Sequence, residues 1–377
     1  MTNLDELLRK YNPNGVSPVK LGDVLDYEQP SKYIVSSSEY DDNYDIPVLT
    51  AGQSFILGYT DETDGVYKAS KKNPTIIFDD FTTGYHWVDF DFKVKSSAMK
   101  MLRLRDNNSL LRYVFHSMAL INYVPSEHSR QWISKYSQFE IPIPHIKVQE
   151  EIVEILDSFT NLIDTLNEEL SLRQKQFEYY REKLLTFDDK SINVNITPLG
   201  EIGNVCMCKR IMRNETNNEG GIPFYKIGTF GGIADSFISK DKFEEYKNKY
   251  NYPKLGDILI SASGTIGKTV VFDGKPSYYQ DSNIVWIDND ETKVINSFLR
   301  YIYTVIDWKV DDGGVIKRLY NTNIRSTLIT YPKEKAVQQS IVEKLDAFES
   351  LISSLKEEIA LRQKQYEYYR EKLLTFD

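Results

Sequence analysis

Cysteine is almost absent from this chain, which contains only Cys206 and Cys208 in 377 residues. A framework of disulfides therefore cannot stabilise the fold. The four histidines all lie in the first half of the sequence, so we expect no zinc site and no other metal site. No apolar run approaches the 18 residues that a membrane span needs, and the first residues lack the apolar core of a signal peptide. We expect a cytoplasmic protein without membrane contact.

Positive charge is also in deficit, since 46 Lys and Arg face 55 Asp and Glu, for a formal net charge of -9. This balance argues against a protein that coats nucleic acid without specificity. It does not exclude a specific reader of DNA, because phosphate contacts depend on where the basic groups lie. The length of the chain favours two globular domains.

The strongest positive signal is an internal repeat at a fixed offset of 189 residues. Residues 148–188 align with residues 337–377, and 29 of the 41 aligned positions are identical. Chance cannot produce this agreement. The chain is therefore expected to contain one structural unit twice.

Each repeated segment spaces its large side chains alternately four and three residues apart, which predicts the seam of a left-handed coiled coil. Neither segment contains Pro or Gly, so each should form one unbroken helix of roughly 60 Å. The predicted seam residues are Ile152, Leu156, Phe159, Ile163, Leu166, Arg173 and Tyr180, then Ile341, Leu345, Phe348, Ile352, Leu355, Arg362 and Tyr369.

The two arginines of the seam occupy the same heptad position, where a lone charge usually fixes register or pairs with a carboxylate. Two such similar helices in one chain most simply pack on each other, antiparallel, around a pseudo-two-fold axis. The alternative is a homodimer in which the helices pair between chains.

The segments outside the helices repeat in outline only. Leu21–Val24 corresponds to Leu199–Ile202, and Ile46–Pro47 corresponds to Ile222–Pro223. Short runs of β-branched and aromatic residues, broken by Gly, Asp and Asn, predict β-rich domains with some helix near residues 110–123 and 293–306.

The predicted fold class is α+β, with two β-rich globular domains separated by two long antiparallel coiled-coil helices. The expected boundaries are an N-terminal arm at 1–17, a first domain at 18–146, a central helix at 147–190, a second domain at 191–335 and a C-terminal helix at 336–377.

This order of domains and helices, together with several strings, resembles the specificity subunits of type I restriction-modification systems. The strings are LGDV at 21–24, the helix end LRQKQFEYYREKLLTF, FEIPIPHIKVQEEIVEIL at 139–156 and PKLGDILISASGTIGK at 253–268. The resemblance covers essentially the whole chain.

The resemblance implies that each variable domain is a target-recognition domain that reads half of an asymmetric, bipartite DNA site. It also implies that the helices act as a ruler between the half-sites. Two modification subunits, which hold S-adenosylmethionine, would dock on the helical parts. Restriction subunits that use ATP and Mg²⁺ would then join, and the chain itself would hold no cofactor. Two heads related by a two-fold axis suit duplex DNA, with half-sites roughly 34 Å apart.

Residues 75–78 and 257–260 are two further equivalent segments, each a predicted strand. The loops that follow them are the first candidates for DNA contact, because small hydroxyl residues can approach phosphates closely. In the first domain they supply Thr82, Thr83, Tyr85 and His86, and in the second Ser261, Ser263, Thr265 and Lys268. The second loop also suggests a nucleotide-binding P-loop, but Ala262 stands where that motif needs Gly. The acids Asp79 and Asp80 could suggest a metal pair, although a solvated or capping role is the simpler interpretation.

A further loop lies just before each long helix. These two loops combine guanidinium and amide groups, which pair with guanine and adenine in the major groove. These loops contribute Arg130 and Gln131 in the first domain and Lys317, Arg318, Tyr320 and Asn321 in the second. An arginine on a loop is more often merely solvated. Two such clusters at equivalent places in a repeat strengthen the DNA interpretation.

Motifs for catalysis are missing, including the Asn/Asp-Pro-Pro-aromatic string of amino methylation and a Gly-rich cofactor loop. We therefore expect a non-catalytic, sequence-specific DNA-binding subunit that directs methylation and cleavage by its partners. The first alternative is a coiled-coil assembly adaptor whose two domains bind proteins. A single-chain nuclease or methyltransferase is the second alternative.

Overall fold

A computed structural model describes residues 2–52, 54–187, 192–309 and 318–376. The chain divides into two compact units. The first unit is Met1–Asn167 with Glu357–Asp377, and the second unit is Glu168–Lys356. Each unit combines one head with parts of both long helices.

The first unit begins with a short helix and continues into a head made mainly of strands. Its elements are α1 (Thr2–Tyr11), β1 (Pro18–Lys20), α2 (Leu21–Val24), β2 (Leu25–Glu28), β3 (Ile46–Leu49), β4 (Ile56–Thr60), β5 (Thr75–Asp79), β6 (Tyr85–Val88), β7 (Lys93–Val94), β8 (Met99–Leu104), α3 (Leu111–Met118), β9 (Glu140–Pro142) and the long helix α4 (Ile146–Thr186). We call the part from β1 to β9 the first head.

The second unit holds the second head, from β10 to β18. Its elements are β10 (Val194–Pro198), β11 (Gly203–Cys206), β12 (Ile222–Tyr225), β13 (Phe237–Ile238), α5 (Lys240–Lys249), β14 (Ile258–Ser261), β15 (Thr269–Val271), β16 (Tyr278–Tyr279), β17 (Ile284–Asn289), α6 (Asn296–Val305), α7 (Asn321–Ser326), β18 (Leu328–Pro332) and the long helix α8 (Lys335–Leu374).

The two heads have the same sheet topology, which confirms the predicted repeat. The four-stranded order β2-β8-β5-β6 becomes β11-β17-β14-β15, and the three-stranded order β4-β3-β7 becomes β13-β12-β16. The two-stranded pair β1-β9 likewise becomes β10-β18. Helices α3 and α6 lie where helix was predicted in each head. Helix α5 carries charges of both signs and buries Phe243.

Alternating side chains on β5 show how each four-stranded sheet is packed. Ile76 and Phe78 contribute to a core with α3, whereas Ile77 contributes to a separate core with β3 and β7. Because neighbouring residues of a strand point to opposite faces, a strand buried on both faces is apolar throughout. In the second head Ile258 and Ile260 likewise pack with α6, and Leu259 packs on the other face.

The long helices pack antiparallel within each unit. In the first unit Ile152 shares a core with Leu373 and Leu374, and further along α4 the ring of Phe159 stacks on Tyr369 at 5.3 Å. In the second unit Tyr180 stacks on Phe348 at 5.5 Å. The offset of 189 residues converts one stacked pair into the other. The antiparallel packing predicted within one chain is therefore present.

The predicted seam residues differ in how far they are buried. Four are buried, namely Ile152, Leu156, Ile341 and Leu345, and Tyr180 is 36% exposed. The other nine are partly buried, namely Phe159, Ile163, Leu166, Arg173, Phe348, Ile352, Leu355, Arg362 and Tyr369. The four buried seam residues therefore all lie near the beginning of a long helix.

The two seam arginines make the same contacts one repeat apart. Arg173 pairs with Glu169 at 3.3 Å, and Arg362 pairs with Glu358 at 2.7 Å, each carboxylate lying four residues earlier on the same helix. Each arginine also donates to the amide oxygen of a glutamine three residues later. Their charge is thus balanced within one helix.

Candidate nucleic-acid interface

The two predicted DNA loops of the first head meet at Asp80, the residue that follows β5. Its carboxylate accepts hydrogen bonds from the backbone N–H groups of Gln131 (3.1 Å) and Trp132 (2.8 Å). Phe81 stacks on His128 at 4.5 Å across the same junction. The loop at residues 128–132 is therefore fixed against the end of β5.

A buried ion pair supports this junction. Asp80 lies 3.0 Å from the ammonium group of Lys100, and both side chains are almost fully excluded from water, at 1% and 0% exposure. Asp79 instead caps its own turn by accepting from the N–H groups of Phe81 and Thr82. A capping role is therefore present at Asp79, whereas Asp80 is buried rather than solvated.

The remaining predicted residues of the first loop are placed differently from one another. Thr82 is exposed, whereas Thr83 is buried and has a φ of 60°. The ring of Tyr85 meets Phe115 in the core at 5.4 Å. His86 stacks on Phe55 at 4.6 Å, and its Nε2 lies 3.1 Å from the carbonyl oxygen of Gly52. Of these four side chains, that of Thr82 is the most accessible.

In the second head the loop after β14 is held together by its own serine. Ser261 is 1% exposed, and its hydroxyl accepts from the backbone N–H of Lys268 at 2.9 Å. The Lys268 ammonium group donates to the carbonyl of Phe230 at 2.6 Å. Ser263 is also buried and donates to Asn283, whereas Thr265 is exposed. The serines therefore shape the loop, and Thr265 lies at its surface.

A polar cleft of about 640 Å³ lies beside this loop in the second head. Its lining includes four cationic side chains, those of Arg210, Arg213, Lys226 and Arg318. Arg210 pairs with Asp281 at 2.9 Å, and Lys226 pairs with Asp235 at 2.8 Å. A cleft of this composition suits a negatively charged ligand such as a phosphate backbone.

Arg130 and Arg318 are equivalent residues, as the backbone hydrogen bonds around them show. Asp80 donates its N–H to Ala98, and its carbonyl accepts from the residue after Arg130. Ala262 donates to Asn283, and its carbonyl accepts from Leu319, the residue after Arg318. Both pairs of bonds are 2.8 to 2.9 Å long. The same loop connection thus presents an arginine in each head.

The neighbours of these arginines are not equally accessible. Gln131 is fully buried, and its amide nitrogen donates to the carbonyl of Ser129 at 2.6 Å, so this side chain supports the loop from within. Tyr320 is 49% exposed and Asn321 is exposed at the start of α7. Lys317 lies outside the described residues.

Sequence reasoning missed Arg210, Arg213 and Lys226, although the basic run Lys209-Arg210-Ile211-Met212-Arg213 was an available signal for the first two. They lie 92 to 108 positions before Arg318 in the chain, and only the fold brings them to one cleft. Among the described residues there is no group of three or more His, Cys, Asp or Glu side chains that could hold a metal ion. Nor does this part of the chain contain a helix long and apolar enough to cross a membrane.

Comparison with known proteins agrees with these observations. The profile of the type I restriction modification DNA specificity domain matches twice, at residues 13–172 and 192–361. The specificity subunit of the EcoR124I and EcoR124II type I restriction enzymes of Escherichia coli is 41% identical over 389 residues, which cover 94% of this chain and 93% of that protein. This chain belongs to the family of type I restriction-modification specificity subunits. A Haemophilus influenzae protein named as such a subunit is 46% identical over 345 residues, covering 86% of each chain.

Solved structures share the fold of this specificity subunit. The S subunit of a type I system from M. genitalium superposes with a TM-score of 0.63 at 16% identity and covers 96% of both chains. A chain from a structure of type I complex assembly gives a TM-score of 0.54 at 17% identity, over 96% of this chain and 97% of that one. At these identities the likeness concerns the fold alone.

Membership of the family decides between the functions considered from the sequence. The family provides DNA sequence specificity and is a non-catalytic component of type I restriction-modification complexes. The chain is therefore a DNA specificity subunit rather than a protein-binding adaptor or an enzyme.

One feature of this specificity subunit that the sequence analysis missed is a glutamine at the base of each head. Gln149 is fully buried, accepts from the N–H of Leu110 and donates to the carbonyl of Pro144. Gln338 makes the same contacts with Ile295 and Pro332. The identical Val-Gln at the start of both repeats was the available signal. These glutamines join each head to its long helix.

An aspartate one repeat apart makes a second junction. In the first unit the Asp157 carboxylate accepts from Arg112 at 2.7 Å and lies 2.8 Å from Nε2 of His116. In the second unit Asp346 accepts from the hydroxyl of Tyr301 at 2.6 Å. Burial lowers the pKa of His116 below its usual value, although Asp157 opposes this effect. Burial alone would raise the pKa of Asp157, but the bonds from His116 and Arg112 hold it below its usual range.

Proposed function

We propose that this specificity subunit reads a bipartite, asymmetric double-stranded DNA target, with one half-site for each head, and directs modification and restriction subunits to it. The observation that carries this proposal is the equivalent placement of Arg130 and Arg318. Two heads of one topology present an arginine on the same loop connection, yet the surroundings of the two arginines differ. Arg130 lies 3.7 Å from the Asp80 carboxylate, whereas Arg318 donates to the carbonyl of Ser282 and to the side-chain oxygen of Asn283. Different surroundings imply different half-sites.

The candidate contacts divide by chemistry. Guanidinium and amide groups can pair bidentately with base edges in the major groove, which favours Arg130, Arg318 and Asn321 as base readers. The cations of the cleft, Arg210 and Arg213, suit phosphates, which position the protein without carrying sequence information. In the first head Thr82 lies at the surface beside the loop that carries Arg130.

The outer faces of the long helices support the proposal of two modification subunits. Leu172 and Tyr179 on α4 are 66% and 59% exposed, and their repeats on α8, Leu361 and Tyr368, are 62% and 58% exposed. Large apolar side chains kept exposed in both copies of a repeat suit a partner surface. Because the two surfaces have the same residues, they would bind two copies of one partner.

The finer organisation follows from the same proposal. The arm would be residues 1–17, the target-recognition domains 18–146 and 191–335, and the spacer helices 147–190 and 336–377. The partners would supply S-adenosylmethionine, ATP and Mg²⁺, whereas this chain would bind no cofactor and work in the cytoplasm. The helices would set the distance between the half-sites.

Substitution of Arg318 tests the reading function. The complex of the chain with its methyltransferase partner would be assayed for duplex binding by fluorescence anisotropy, after methylated-base sequencing has identified the target. If Arg318 reads a base, Arg318→Ala should weaken binding by about 1 to 3 kcal/mol and relax specificity at one position of one half-site. If it contacts phosphate, binding should weaken for all sequences and depend less on salt.

Lys254→Ala is the matched control, because Lys254 is 73% exposed in the same head, pairs with Asp288 and does not line the cleft. It should leave affinity and specificity unchanged. Equal losses for both variants, or no loss for Arg318→Ala, would contradict the assignment. Purified chain without partners should neither methylate nor cut the same duplex.

A further inference from the structure

An open apolar groove of about 960 Å³ lies in the second unit, between the end of α4 and the beginning of α8. Its apolar lining includes Leu184 and Phe187 from the α4 side and Val337 and Ile341 from α8. The charged lining residues are Glu182, Lys183 and Lys344. An apolar groove flanked by charge suits a helix that is apolar on one side.

The first unit contains the equivalent surface, and there it is covered. The residues one repeat away from this lining include Leu373, Phe376, Val148 and Ile152, and all four belong to one core cluster. Leu4, Leu7 and Leu8 of α1 belong to the same cluster. The spacing of these leucines places them on one face of the helix. In the first unit, therefore, a short amphipathic helix occupies the surface that corresponds to the groove. We call this surface the helix seat of each unit.

Identical residues differ in burial between the two units. Val148 is fully buried and Leu373 is 6% exposed. Their repeats Val337 and Leu184 are only partly buried. Because the residue types are the same, the difference comes from what covers them. The second unit thus keeps the apolar lining of a helix seat while α1 covers only the first.

The chain's own α1 is held in the first unit by contacts at its end. Tyr11 stacks on His145 at 4.4 Å, and the side-chain oxygen of Asn12 accepts from the backbone N–H of His145 at 3.0 Å. A second copy of this chain would likewise have its α1 seated. Neither this chain's α1 nor that of a second copy would therefore be available to the groove, and we look for the occupant in a different protein.

The charge around the groove narrows the chemistry of the occupant. Lys344 stands where the first unit has Ile155, and Ser340 stands where it has Glu151. Each of these two changes adds one positive charge, and the replacement of Lys147 by Ala336 removes one, so the second seat is more positive than the first by one charge. An acidic flank would be favoured there.

We propose that this groove binds an amphipathic helix of about ten residues from a partner protein, with leucine-type residues at i, i+3 and i+4 and acidic residues along one flank. This inference is independent of what the heads read. It assigns the second unit a docking seat whose geometry the first unit already shows with α1.

The full-length chain would be titrated with a fluorescent peptide of residues 2–13, TNLDELLRKYNP, and with its R9E/K10E variant. Anisotropy should show saturable binding at one site per chain, tighter for the acidic variant. Val337→Glu, which places a carboxylate on the groove floor, should weaken binding by about tenfold or more. Lys344→Glu should reverse the preference between the two peptides.

Leu351→Glu is the control, because Leu351 is 40% exposed on the same helix and does not line the groove. It should bind both peptides as the unmodified chain does. Absence of saturable binding, or equal weakening by Val337→Glu and Leu351→Glu, would overturn the proposal. Self-association that Val337→Glu abolishes in analytical ultracentrifugation would also overturn it, since the occupant would then be a second copy. Circular dichroism of each variant establishes that the fold is intact.

Discussion

The buried pair of Asp80 and Lys100 has an apolar counterpart in the second head, and this comparison suggests a test of what the pair contributes. The strand registers make Ala262 and Val285 their equivalents in the second head. That head therefore builds the same junction with apolar residues. Asp80→Ala alone should leave a buried ammonium without its partner, and Lys100→Val alone should leave a buried carboxylate.

The magnitudes follow from this geometry. Asp80→Ala should destabilise the first head by about 3 to 5 kcal/mol, because the buried Lys100 ammonium group is left uncompensated. Lys100→Val should cost less, because Arg130 lies 3.7 Å from the remaining carboxylate. The double variant removes both charges and loses mainly the carboxylate's two N–H bonds, at about 1 kcal/mol each. It should therefore be destabilised by about 2 to 3 kcal/mol, well below the sum of the single effects.

Native-state hydrogen exchange read by mass spectrometry would measure the opening free energy of β5 and β8 separately from the second unit. Duplex binding would be measured on the same samples, because release of the loop at residues 128–132 should weaken the first half-site in the single variants. If the two substitutions add without coupling, the pair does not act as we infer.

Three further expectations follow. His116→Tyr copies the Tyr301 junction of the second unit. Because the folded-state pKa of His116 is lowered, the unmodified first unit should lose stability as the pH falls below about 6.5. Urea unfolding at each pH should show that the variant loses less stability than the unmodified chain. Gln338→Leu should cost about 3 kcal/mol by leaving buried backbone groups unpaired, whereas Gln339→Leu on the exposed side of the same helix should be almost neutral in the same assay. Four residues inserted after Leu166 add about 6 Å of helix, so methylated-base sequencing should find the half-sites at an altered spacing; an unchanged spacer with intact helices would exclude the ruler role.

The sequence alone was sufficient for the architecture because the repeat and the heptads are local patterns. Identity at a fixed offset implies the same fold twice, and a 3.5-residue period without Pro or Gly implies a long helix with one apolar seam. The family resemblance rested on the same strings. None of these inferences required knowledge of which residues meet in space.

The candidate interface needed the tertiary structure, because it depends on contacts between distant segments. Gln131 and Ser261 have the right chemistry for DNA contact, yet the fold buries both within their loops. Arg210 joins Arg318 only through sheet pairing across the head. Likewise, both helix repeats carry the same apolar residues, and only packing decided that α1 covers one set and leaves the other accessible. Local patterns determine secondary structure and repetition, whereas burial and side-chain neighbours are properties of the folded chain.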